Sequence, residues 1–179
     1  PGDEAKRIKK FIEDQELHPV AILLTHGHFD HVMAVDSVRT AYHIPVYAAE
    51  AEKETMQDAS INLSINMGGA MLSVEADHWL KDGETITLLD QEVRCILTPG
   101  HTVGGMCFYF PKAGMLFSGD TLFQESVGRT DFPGGSMSEI VRSIREKLFV
   151  LPDAVQVYPR HGLMTSIKNE KMFNPFAVE

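Results

Sequence analysis

The stretch Thr25-His26-Gly27-His28-Phe29-Asp30-His31 directly follows a continuous apolar run at residues 20–24. Such a short apolar run predicts a buried strand. Alternate residues of an extended segment point the same way, so we expect His26, His28 and Asp30 to project into one site, with His31 opening a helix beside it. Imidazole and carboxylate groups suit zinc, iron or manganese. Four such side chains within six residues are too many for one tetrahedral ion, so the motif predicts two adjacent metal ions.

Three later turns each add one candidate ligand at the end of a predicted strand. His101 follows the strand at residues 93–97, Asp120 follows residues 115–117, and His161 follows residues 155–157. Strand ends and the loops after them are where side chains from distant parts of a chain can converge. Each turn alone is weak, but together with the first motif they predict one site. The predicted metal ligands are His26, His28, Asp30, His31, His101, Asp120 and His161.

Composition limits the classes of protein and partner. The chain has 179 residues, 44% of them hydrophobic and 23% charged, which predicts a soluble globular protein with a single domain over residues 1–179. Cys95 and Cys107 are expected as buried, reduced thiols in a cytoplasmic setting. A net charge of -9 opposes binding to nucleic acid. No apolar run approaches the roughly 18 residues that a membrane span needs, so no membrane partner is expected.

The remaining pattern predicts helices and strands in alternation, which is typical of an α+β protein with helices on the outer faces of two sheets. Residues 60–80 are either a mobile loop over a site or ordinary connecting chain, and the second interpretation is slightly favoured. The four strands predicted between residues 86 and 118 are interpreted as an antiparallel sheet. The predicted helices span residues 3–16, with Asp3 as cap, then 32–42, 50–57, 136–148 and 168–172; the predicted strands span residues 20–24, 46–48, 86–89, 93–98, 106–110, 115–118 and 155–158.

These motifs resemble the metallo-β-lactamase superfamily, and within it the small glyoxalase II-like hydrolases, over essentially the whole chain. Residues 25–31, 98–102, 118–120, 128–135 and 159–176 carry the resemblance. It implies a four-layer αββα sandwich with two divalent metal ions, zinc in the first place and iron or manganese as alternatives. It also implies that His26, His28 and His101 hold one ion, that Asp30, His31 and His161 hold the other, and that Asp120 bridges them.

The resemblance implies hydrolysis of a small-molecule thioester such as S-lactoylglutathione. A metal-bridging hydroxide would be the nucleophile, since one zinc ion can lower the pKa of a bound water from 15.7 to about 7. Asp30 and Asp120 are then the catalytic carboxylates. Arg129, Arg160 and Lys168 are candidate substrate contacts, although an ion pair between Arg129 and Asp131 is an equally good expectation. The oligomeric state stays open.

Departures from the family pattern keep other functions open. The best-known antibiotic-cleaving lactamases have a cysteine in place of Asp120, which argues against that activity. Persulfide dioxygenases share a stretch similar to residues 128–132. If this chain had that activity, it would use a single iron held by His26, His101 and Asp120. A non-catalytic domain with a degenerate site is the third alternative, because Arg160 stands where the family has glycine. The family's opening strands are also missing ahead of Pro1, which predicts either a truncated sequence or an altered fold with an exposed sheet edge. The helical domain of larger glyoxalase II enzymes does not follow Glu179, which weakens the case for glutathione in the substrate but not the case for hydrolysis.

Overall fold

The computed structural model describes residues 1–177 and divides the chain into two units, Pro1–Leu80 and Lys81–Glu179. Each unit has its own sheet and its own buried apolar cluster. Helices and strands mix in both, which confirms the predicted α+β class. That the units form one domain stays a prediction.

The first unit is built on a parallel sheet of three strands in the order β1-β2-β3. The strands are β1 (Ile22–Leu23), β2 (Val46–Ala49) and β3 (His78–Leu80). Its helices are α1 (Ala5–Asp14), α2 (Phe29–Val32), α3 (Val35–Tyr42) and α4 (Lys53–Gln57), with a 3-10 turn at Glu50–Glu52 and a π turn at Ser64–Gly68. Val46, Ala48 and Ala49 are buried, because helices cover a parallel sheet.

Two predictions about the helices of this unit were wrong. The helix predicted at residues 32–42 is two helices, because the Ala34 N–H donates to the carbonyl oxygens of Pro1 and Gly2 at 3.1 and 3.0 Å. Asp3 does not cap α1. Glu4 is the residue before that helix and has a φ of 57°. The Asp3 carboxylate accepts a hydrogen bond from the Glu4 N–H at 2.6 Å and does not cap the helix.

The second unit contains a six-stranded sheet in the order β11-β10-β7-β6-β5-β4, and a separate two-stranded hairpin, β8-β9. The strands are β4 (Thr85–Leu88), β5 (Gln91–Leu97), β6 (Met106–Phe110), β7 (Met115–Gly119), β8 (Leu122–Phe123), β9 (Ser126–Val127), β10 (Gln156–Pro159) and β11 (Thr165–Ser166). The helices are α5 (Met137–Ser143), which continues as a π turn at Ile144–Leu148, and α6 (Ile167–Phe173).

The predicted antiparallel arrangement holds for β4 to β7, whereas β10 pairs with β7 in parallel. A parallel neighbour requires a long crossover, and α5 lies in the segment that joins these two strands. The helix predicted from residue 136 begins there, since Ser136 caps α5 and its Oγ accepts from the Glu139 N–H at 3.3 Å. Cys95 and Cys107 are buried free thiols, as predicted, and burial raises the pKa of both to about 11. Among residues 1–177, no helix has the length and apolar character that crossing a bilayer requires.

Candidate metal centre

The first unit gathers the imidazole groups of its predicted ligands. His26, His28 and His31 are buried, with exposed fractions of 2%, 3% and 7%. The His26 ring lies 3.8 Å from the His31 ring and 4.9 Å from the His28 ring, measured between centroids. Their ligand atoms lie within 4.8 Å of each other in the same two pairs. These separations are short enough for the three imidazoles to lie around two neighbouring metal ions.

Asp30 joins this cluster by a different route from the one predicted. The residue lies in α2, which begins at Phe29, so alternation along an extended segment accounts for His26 and His28 only. The helical turn instead places the Asp30 Oδ2 3.7 Å from the His31 Nε2. Asp30 is partly exposed, at 37% of its side chain, whereas His31 is buried. A carboxylate beside a buried imidazole is a ligand set that suits zinc, iron or manganese.

The second unit gathers the other three predicted ligands around one carboxylate. The Asp120 Oδ2 lies 3.8 Å from the His101 Nε2 and 3.8 Å from the His161 Nε2. His101 and Asp120 are largely buried, with side-chain exposures of 5% and 12%, whereas 55% of the His161 side chain is exposed. One oxygen that is equally distant from two imidazoles has the geometry of a ligand able to contact two ions.

A main-chain oxygen orients His101. The His101 Nδ1 lies 2.7 Å from the Arg129 carbonyl oxygen. Because a carbonyl can only accept, Nδ1 carries the proton and donates it, and the Nε2 lone pair is left for a metal ion. The tautomer that a metal ligand needs is therefore set by this hydrogen bond.

The turn before His101 is held against α5. Gly100 has a φ of 135°, and a Cβ there would collide with the backbone of Ile140. The Ser143 hydroxyl donates to the Pro99 carbonyl at 2.9 Å, which ties the same turn to the same helix. The glycine of this turn is thus required by conformation and by close approach.

The hairpin β8-β9 lies between Asp120 and Arg129, whose carbonyl oxygen contacts His101. A buried polar network anchors this hairpin. The Glu170 Oε2 accepts from the Glu125 N–H at 2.8 Å, and the Asn174 Nδ2 donates to the Ser126 carbonyl at 3.0 Å. Glu170 and Asn174 are fully buried. These two residues of the tail therefore support the hairpin from inside the second unit.

The three candidate substrate residues are exposed residues of the second unit. The Arg129 guanidinium pairs with the Asp131 carboxylate through two hydrogen bonds of 2.7 Å, as expected for an ion pair, and holds the pKa of Asp131 at about 2. The backbone N–H groups of Arg160 and Lys168 donate to the carbonyl oxygens of Gly119 and Asp153. Their roles toward a substrate stay predictions.

Two supporting groups escaped prediction from the sequence. Glu52 is fully buried, and its Oε1 accepts from the Gly27 N–H at 2.9 Å. The Arg129 carbonyl oxygen, rather than its side chain, contacts His101. Neither contact has a local pattern, because each joins residues 25 or more positions apart.

Comparison with known proteins identifies one superfamily. A family model described as "Metallo-beta-lactamase superfamily" matches residues 1–161. "Probable metallo-hydrolase YqgX" of Bacillus subtilis (strain 168) is 40% identical, over 98% of this chain and 84% of the relative. "Hydroxyacylglutathione hydrolase GloC" of Haemophilus influenzae (strain ATCC 51907 / DSM 11121 / KW20 / Rd) is 33% identical over the same shares.

Two solved structures extend the comparison. The chain superposes on the B3 metallo-beta-lactamase BLEG-1 with a TM-score of 0.94 and 39% identity, covering 100% of this chain and 87% of the other. It superposes on TTHA1623 in a di-iron-bound form with a TM-score of 0.86 and 35% identity, covering 98% and 86%.

Proposed function

The chain belongs to the metallo-β-lactamase superfamily, and on this premise we propose that it hydrolyses small-molecule thioesters such as S-lactoylglutathione. It has the fold of this superfamily and is a metallo-hydrolase. The relative named as a hydroxyacylglutathione hydrolase supports this substrate class. The stretch at residues 128–135, which resembles the small glyoxalase II-like enzymes, supports it from the sequence.

The proposed centre would hold two divalent ions, with Asp120 as a ligand of both. His26, His28 and His101 would bind one ion, and Asp30, His31 and His161 the other. The observation that carries this proposal is the position of the Asp120 Oδ2, which is 3.8 Å from one histidine of each set. Zinc is the proposed metal, and the di-iron-bound relative makes iron the first alternative.

The residues of the chain provide positioning and charge for this reaction. When bound, the ions supply Lewis acidity toward the acyl oxygen and make water acidic enough to lose a proton near neutral pH. Asp120 would add negative charge that offsets the repulsion between two cations. Asp30, which is partly exposed, can accept a proton from water. A strong general acid is not needed, because a thiol leaving group has a pKa of about 8.5 and departs as a stable anion.

The test is an assay of the metal-replete protein against a panel of acylthioesters that includes S-lactoylglutathione. We expect release of thiol that stops when a chelator removes the metal and returns when zinc is added back. The chelated protein without zinc is the matched control. A protein with two bound ions that hydrolyses no member of the panel would contradict the proposal.

Hydrolysis of β-lactams is a second candidate, favoured by the likeness to BLEG-1. Asp120 argues only against the lactamase type that has cysteine at this position. The same protein sample with a panel of β-lactams separates the two activities. Ring opening at a higher kcat/KM than any thioester would establish this second candidate.

Persulfide oxidation at one iron is favoured by residues 128–132 and by the exposure of His161, which contrasts with the burial of His101 and Asp120. Metal analysis distinguishes persulfide oxidation from thioester hydrolysis. One iron per chain with oxygen uptake would support it, and two metal ions without oxygen uptake would exclude it. A chain that binds no metal would instead be the non-catalytic domain.

A further inference from the structure

A buried carboxylate is hydrogen-bonded to the loop that carries His26 and His28. The Glu52 Oε1 accepts from the Gly27 N–H at 2.9 Å, and Glu52 has an exposed fraction of 0%. A carboxylate removed from water is costly unless hydrogen bonds compensate it. The hydrogen bond from Gly27 is part of the compensation that this buried carboxylate requires.

The same segment contacts Gly27 a second time, through packing. A Cβ at residue 27 would lie 2.7 Å from the Met56 Cγ and 3.0 Å from the Met56 nitrogen. Met56 is fully buried in α4, four residues after Glu52. Residues that are four apart on a helical segment lie on one side of it. One side of the segment at residues 50–57 thus holds Gly27 by a hydrogen bond and by close contact.

Fixing Gly27 fixes the geometry of its two neighbours. The Gly27 N–H belongs to the peptide plane that begins at His26, and His28 follows directly, with the two rings 4.9 Å apart. Metal–ligand distances tolerate errors of only about 0.2 Å. We propose that Glu52 is a positioning residue, which holds the backbone between His26 and His28 so that both rings are placed for one metal ion. This inference rests on the metal centre of the proposed function.

The test compares two substitutions that separate reach from charge. Glu52→Asp keeps the charge but withdraws the carboxylate by one methylene group, whereas Glu52→Gln keeps an acceptor oxygen at full reach and removes the charge. We expect E52D to weaken zinc affinity by about 10- to 100-fold, the usual effect of losing a supporting contact, and E52Q to weaken it less. Glu54→Asp, at an exposed position of the same segment, is the matched control and should match the wild type. Affinity is measured on the metal-free protein by competition with a chromophoric chelator.

Amide hydrogen exchange at Gly27 gives a second readout, which needs no metal. We expect the Gly27 N–H of the metal-free wild type to be protected and that of E52D to exchange faster, with the Val46 amide in β2 unchanged. An unprotected Gly27 amide in the wild type overturns the inference even if E52D fails to fold. The inference is also overturned if the zinc affinity of E52D is within about twofold of the wild-type affinity, or if E52D binds zinc more tightly than E52Q does. If the wild type binds no zinc, the proposed zinc centre is contradicted, and the inference about Glu52 is contradicted with it.

Discussion

Among the single side chains, Asp120 has the clearest assignment to chemistry. Its Oδ2 is 3.8 Å from both His101 and His161. A neutral amide binds a cation more weakly than a carboxylate does, so we expect Asp120→Asn to lower metal content from two ions per chain to one or none. Metal analysis after gel filtration measures this. Asp131→Asn, which removes an exposed carboxylate of the same unit, is the control and should keep both ions. Two tightly held ions in D120N would contradict a bridging role.

Asp131 is expected to titrate at low pH. Its hydrogen bonds from Arg129 hold its pKa at about 2, below the ordinary 3.8. A depressed pKa in the folded state means that the pair contributes stability above pH 3.8 and loses that contribution as the pH falls from 3.8 toward 2. The carboxyl carbon shift of Asp131, followed by NMR, should report the pKa. Arg129→Ala should return it toward 3.8, and an unchanged value would show that Arg129 is not the cause.

The two thiols are expected to be inert. Burial raises the pKa of Cys95 and Cys107 to about 11, so at pH 8 few thiolates form and reagents cannot reach them. We expect an aromatic disulfide reagent to label neither thiol in the folded protein and both in denaturant. Rapid labelling of the folded protein would contradict this. Inert thiols also mean that the thiol-release assay has no background from the protein itself.

Among the loops and helices, the turn at residues 98–102 depends most on a single residue type. Gly100 combines a φ of 135° with close approach to Ile140, whereas Gly114 has a φ of 63° and open space around it. Gly114→Ala should therefore lose about 1–2 kcal/mol for the left-handed conformation alone. Gly100→Ala should lose more, because Ile140 and α5 must also shift. Urea unfolding measures both free energies, and equal losses would show that the contact with α5 is unimportant.

The elements differ in how far the sequence predicts them. β6 was predicted residue for residue, because its apolar run is local and bounded by turns. Strand β3 was missed among residues 60–80, because three residues that pair with β2 leave almost no pattern. The break between α2 and α3 depends on contacts of Ala34 with Pro1 and Gly2, some thirty residues away in the sequence. Local patterns predict where elements lie, and distant partners decide where they end.

For the chain as a whole, metal binding should appear as stability. A ligand that binds only the folded state adds about 2.7 kcal/mol to the free energy of unfolding at a free concentration 100 times its Kd. We expect added zinc to raise the Tm, a chelator to reverse the rise, and D120N to show a smaller rise. Magnesium at the same concentration is the control, since it prefers all-oxygen ligands. A Tm that does not respond to zinc would contradict a native metal centre.

The candidate ligands could be proposed from the sequence because all seven lie in short motifs that directly follow strands, where spacing alone is informative. The family followed from the same motifs and is confirmed. Glu52 could not be predicted, since a glutamate in a helical segment is usually exposed and only the folded first unit shows its contact with Gly27. Contacts that support the candidate ligands, such as that of Glu52 with Gly27, depend on the folded structure, whereas the candidate ligands themselves can be read largely from local sequence motifs.

The hydrogen bond from His101 to residue 129 uses the peptide oxygen, which every amino acid possesses. The choice of side chain at this exposed position is therefore uncoupled from the imidazole that it orients. Residue 129 can therefore be varied while His101 keeps its tautomer. Because Arg129 is a proposed substrate contact, we expect saturation mutagenesis here to change selectivity and to leave the orientation of His101 intact.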